Sequence, residues 1–89
     1  MTQEYINELL LVVDFMDMTI TAAQNGSEYA RNLLNGRYAN QYGYILDRYD
    51  ISFVTITDLH NARHFVPQKV SRILAYAMDN EAFMSALED

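Results

Sequence analysis

The sequence predicts an all-α fold: a small single-domain bundle of four to six helices around a central N-terminal helix. Three observations predict it. Residues 3–25 keep apolar residues at helical spacing over more than one face. Asn25-Gly26 and Asn35-Gly36 read as helix stops, and Pro67 as a helix start. Hydrophobic residues make up 51% of the 89 positions, enough for a packed core in one domain.

The first helix runs from Gln3 to Asn25, with Thr2 as its N-cap and Glu4 in its first turn. One stripe holds Ile6, Leu9, Val13, Met16, Ile20 and Ala23, with Tyr5 and Val12 beside it. A second stripe holds Leu11, Phe15, Met18 and Ala22 at spacing i, i+4, i+7, i+11. A helix apolar on two faces is either buried centrally or shared with a partner. Met16 to Thr21 also alternates as a half-buried strand would, but the polar positions Asn7, Asp14, Asp17, Thr21 and Gln24 keep helical spacing throughout.

Gly26 ends this helix in the left-handed conformation, and Ser27 caps a short second helix with Tyr29, Ala30, Leu33 and Leu34 on its apolar face. Residues 37–49 read as a third helix through Tyr38, Tyr42, Ile45 and Tyr49, weakened by Gly43. With Tyr44, Arg37 and Arg48 this segment has the composition of an interface, although tyrosines can equally wall a small core with their hydroxyls wet. Residues 51–57 are the most strand-like stretch, and we expect an extended connection there, or a short strand across a dimer. Thr55 and Asp58 form an approximate capping box for a helix from Ile56 to Phe65. Pro67 opens a further helix with Val70, Ile73, Leu74, Ala77 and Met78 as its apolar face. Asp79 caps a final turn anchored by Phe83, Met84 and Leu87, unless the helix simply continues.

The composition excludes several functions. There is no cysteine, hence no disulfide, thiolate nucleophile or cysteine zinc site. Net charge is −6, which opposes anionic membranes and nucleic acid. No basic leader precedes the first apolar run, and Asp14 and Asp17 cut that run, so we expect a cytoplasmic protein without a membrane span. His60 and His64 are four apart on the expected helix, but the glutamate of a His-Glu-x-x-His site is missing, and a solvated pair is expected instead. Asp14 and Asp17 read as a solvated face rather than an acid/base pair. We therefore expect no enzyme, no metal and no cofactor.

Three functional readings follow. The first is a non-catalytic protein–protein interaction module, an adaptor or inhibitor of a larger protein, that also self-associates. Its homodimer or partner interface would use Leu11, Phe15, Met18, Tyr38, Tyr42 and Tyr44. Its acidic surface, Asp14, Asp17, Glu81, Glu88 and Asp89, would face a basic client. The second is a helix-turn-helix over residues 57–74 that binds DNA through Arg63, Gln68, Lys69 and Arg72. Its turn lacks glycine and its bases are few, which disfavours nucleic acid. The third is an acidic DNA mimic that inhibits a nucleic-acid-binding protein, for which twelve acids are thin.

Overall fold

The computed structural model describes residues 2–34 and 55–87. It is an all-α domain. The described elements are α1 (Gln3–Gln24), α2 (Glu28–Leu34), α3 (Ile56–Ala62), α4 (Pro67–Asp79) and α5 (Glu81–Ala86). Helix α1 is the axis: α2, α3 and α4 all pack on it, and α5 packs on α4.

The local signals act as their chemistry requires. Thr2 Oγ1 accepts the Tyr5 amide at 3.1 Å and starts α1. At the other end Gly26 has φ +99, the Ser27 amide reaches back to the Ala22 carbonyl at 2.9 Å, and the Gly26 amide to Ala23 at 3.1 Å. That pair of bonds is the Schellman closure, which needs a left-handed residue at Gly26. Ser27 Oγ then accepts the Ala30 amide at 3.2 Å to open α2. The Thr55–Asp58 capping box is complete and opens α3. Residues 55–57 are thus cap and helix, not strand, because the reciprocal box satisfies backbone donors that a strand would offer elsewhere. The rest of the strand-like stretch, and the third helix expected over residues 37–49, lie outside the described residues.

Two boundaries differ from the sequence reading. Helix α3 stops at Ala62 rather than Phe65; the chain continues in turns in which the Phe65 and Val66 amides both reach the Ala62 carbonyl. Val66 leaves the helical region, at φ −137 and ψ 64, because the following proline disfavours helix there. The break between α4 and α5 falls at Asn80 rather than Asp79. Asn80 is extended, and its side-chain amide donates to the Tyr76 carbonyl at 2.8 Å, so its side chain closes α4 instead of capping α5.

The core takes Leu9, Val13, Met16, Ile20 and Ala23 of the first stripe of α1 and Val12 beside it, while Ile6 is only half-buried, and buried side chains from every other described helix join them. Leu59 and Ala62 come from α3, Val70, Ile73 and Ala77 from α4, with Phe83 and Leu87 at the end. The Tyr76 and Phe83 rings meet edge to face, centroids 5.4 Å apart. The Ile56 amide donates to the Leu87 carbonyl at 3.0 Å and ties the start of α3 to the end of α5. Two assignments are corrected, and one further residue is buried against its type. Met78 is 80% exposed and Tyr29 73% exposed, so each α-helical apolar face is narrower than its composition suggests. Thr19, polar in the sequence pattern, is buried, because its hydroxyl donates to the Phe15 carbonyl at 2.8 Å and so needs no water.

Candidate functional site

The second stripe of α1 runs along the edge of the core, against which Phe15 and Ala22 pack. Leu11 and Met18 are exposed, at 52% and 69%, while Phe15 and Ala22 are half-buried. Helix α2 folds back beside this stripe after the Gly26 turn and brings Tyr29 and Leu33 to it. The result is a groove of about 390 Å³ between α1 and α2, floored by Phe15, Ala22, Ala30 and Leu33 and walled by Met18 and Tyr29. Thr19 and Ser27, which also line it, are already committed: Thr19 donates to the Phe15 carbonyl and Ser27 accepts from the Ala30 amide. An open, apolar trough with no convergent charged group does not orient a small polar substrate, and it suits the apolar side chains of another polypeptide.

The charged residues singled out in the sequence are brought together, but with each other. The Lys69 ammonium pairs with Asp14 across the α1–α4 seam. Arg72 grips Asp17 with two parallel bonds, Nε to Oδ1 at 3.0 Å and Nη2 to Oδ2 at 2.9 Å. That hydrogen bonding raises the Arg72 guanidinium further above its ordinary pKa. A cleft of about 330 Å³ beside this pair is lined by Asp17, Thr21, Gln24, Tyr76 and Asp79, and its base, Arg72, is spent on Asp17. The outward face of α4 carries Gln68, Ser71, Ala75 and Met78, all exposed and none basic. Arg63 is exposed in the turn after α3. Glu81 is exposed in the first turn of α5. Tyr38, Tyr42, Tyr44, Glu88 and Asp89 lie outside the described residues.

His60 lies on α3, whereas His64 lies in the following turn, so the helical register that would aim both imidazoles at one metal is broken. Both are exposed. Among the described residues no three histidine or acidic side chains converge. No described helix is long and apolar enough to cross a membrane.

One polar cluster escaped the sequence reading. Asp58 completes the α3 capping box through Oδ2, accepting from the Thr55 amide at 3.1 Å and hydroxyl at 2.9 Å. Its Oδ1 accepts the Tyr5 hydroxyl of α1 at 3.0 Å, and that hydroxyl accepts from Asn61 at 3.2 Å. The capping-box spacing signalled Asp58; only the tertiary fold reveals Tyr5 as its partner. Desolvation, with lesser and opposed effects of Asn61 and Asp58, raises the Tyr5 pKa, and burial raises that of Tyr76. A group whose folded pKa is raised gives stability that is complete below its unfolded value and is lost as pH rises past it. The wild-type melting temperature should therefore fall as pH climbs above the ordinary tyrosine value of 10.0. The Tyr5→Phe/Tyr76→Phe variant should show a shallower fall in thermal melts followed from pH 9 to pH 12; parallel curves would exclude these two hydroxyls as the cause.

In comparisons with known proteins, the chain matches no family model, no curated protein and no solved structure.

Proposed function

We propose that the protein is a non-catalytic protein–protein interaction module, an adaptor or inhibitor that works by covering part of a larger protein. The observation that carries this reading is the α1–α2 groove with Leu11, Met18 and Tyr29 left exposed around it. Exposed apolar side chains of this size, contiguous on one face, are what interaction sites display. The two charge-based readings gain less support, because Lys69 and Arg72 neutralise the acids, Asp14 and Asp17, that a DNA mimic would present. The same pairs occupy two of the bases a DNA-binding helix would use.

The cysteine-free sequence makes a direct test simple. Met18→Cys introduces a single thiol in the groove wall, and Ser71→Cys a single thiol on the outward face of α4. Each is coupled to a photoreactive maleimide and irradiated in extract of cells that express the protein. The expected result is a discrete higher-mass adduct from position 18 and none from position 71. Equal labelling from both positions, or none from either, would sink the reading.

A further inference from the structure

The groove also says what kind of polypeptide fits it, an inference that rests on the interaction reading above. On α1 the stripe does not stop at Leu11. Glu4, Glu8, Leu11, Phe15, Met18 and Ala22 follow one another at alternating steps of four and three, so one continuous seam is acidic at its N-terminal end and apolar thereafter. A seam with that step is the complement of an α-helix carrying the same periodicity. Glu4 is exposed and Glu8 half-buried. At the far end Glu28 is exposed in the first turn of α2, next to Ser27 of the groove. Among the described residues Lys69 and Arg72 are bound to Asp14 and Asp17, Arg63 lies in the turn after α3, and Arg31 is the base nearest Glu28, its guanidinium on the Gly26 carbonyl.

We infer that the occupant is a basic amphipathic helix of another protein: apolar residues at i, i+4, i+7 and i+11 lying over Leu11 to Ala22, flanked by lysine or arginine that meets Glu4, Glu8 and Glu28. Charge decides against a second copy of this chain. Each copy carries −6, and pairing two seams brings the Glu4 and Glu8 carboxylates of both copies into one interface. Like charges juxtaposed at an interface reject a partner, whereas opposite charges steer it in.

The test uses the full chain and three synthetic peptides of equal length, read by fluorescence anisotropy. One has leucine at the four seam positions and lysine beside them. The second carries glutamate in place of lysine. The third has the composition of the first in an order that destroys the apolar stripe. The first should bind at least tenfold more tightly than either other, and its affinity should fall as salt rises. Glu4→Lys/Glu8→Lys should weaken it roughly tenfold. Met18→Glu should abolish binding although it adds negative charge, which separates docking from general attraction to an acidic protein. Equal binding of the first and third peptides, or no effect of Met18→Glu, would overturn the inference. So would a concentration-dependent dimer in light scattering that Met18→Glu dissociates, since the occupant would then be a second copy. That last outcome leaves the interaction reading standing, and equal photolabelling at positions 18 and 71 removes both.

Discussion

Replacing Phe83 by alanine should cost about 3–5 kcal/mol and leave the domain barely folded at 25 °C. At roughly 0.05–0.15 kcal/mol per residue, a chain of this length holds only about 4–13 kcal/mol in total. Phe83 is 1% exposed and is the largest fully buried side chain among the described residues. Its ring also meets the edge of Tyr76, a contact worth about 0.5–1.5 kcal/mol beyond area burial. Helix α5 is six residues long, too short to be helical without docking. Its loss would also release the Leu87 carbonyl from the Ile56 amide, so damage at the C-terminal end reaches the start of α3. Urea unfolding followed by far-UV circular dichroism should show the midpoint collapse, while Phe83→Leu keeps most of it. A Phe83→Ala variant that loses under about 1 kcal/mol would mean that α5 is not docked through this ring.

The helices were legible because their signals are local. Thr2, Gly26, Ser27, the Thr55–Asp58 box and Pro67 each satisfy or remove backbone groups within a few residues of themselves, and each acts where the sequence places it. The core stripe of α1 was legible because helical periodicity selects one face. The second stripe was legible as apolar but not as exposed: periodicity says which residues share a face and nothing about what lies against it. The same gap explains Tyr29 and Met78, both hydrophobic by composition and both exposed. Thr19 fails in the opposite direction, since a hydroxyl bonded to the carbonyl four residues back is no longer polar to its neighbours.

In the sequence the charge shows only as a net −6 with acids on the first helix and at the C-terminal end. Its resolution is tertiary. Asp14 and Lys69 are 55 residues apart in the chain, as are Asp17 and Arg72, and one seam between α1 and α4 brings both pairs together. Exposed pairs of this kind contribute about 0–1 kcal/mol each to stability. They cancel charge on the α1–α4 flank.

Asp58 joins a local helix cap to a long-range hydrogen bond. Asp58→Ala should cost about 2–3 kcal/mol, combining loss of the reciprocal cap with loss of a hydrogen bond between a carboxylate and a part-buried hydroxyl. The change frays the first turn of α3 and frees Tyr5 from α3, so it acts on both a local and a long-range link. Asp58→Asn retains one amide oxygen and should lose about half as much. A double-mutant cycle isolates the long-range part. Tyr5→Phe removes the hydroxyl but leaves the capping box intact, and the two substitutions should be non-additive by about 0.5–1.5 kcal/mol in urea unfolding. Strict additivity would show that the Tyr5–Asp58 bond contributes nothing in solution and that Asp58 acts on α3 alone. Neither residue lines the groove. Peptide binding by Tyr5→Phe should therefore match wild type at temperatures where the variant remains folded, which separates what holds α1 in place from what α1 presents.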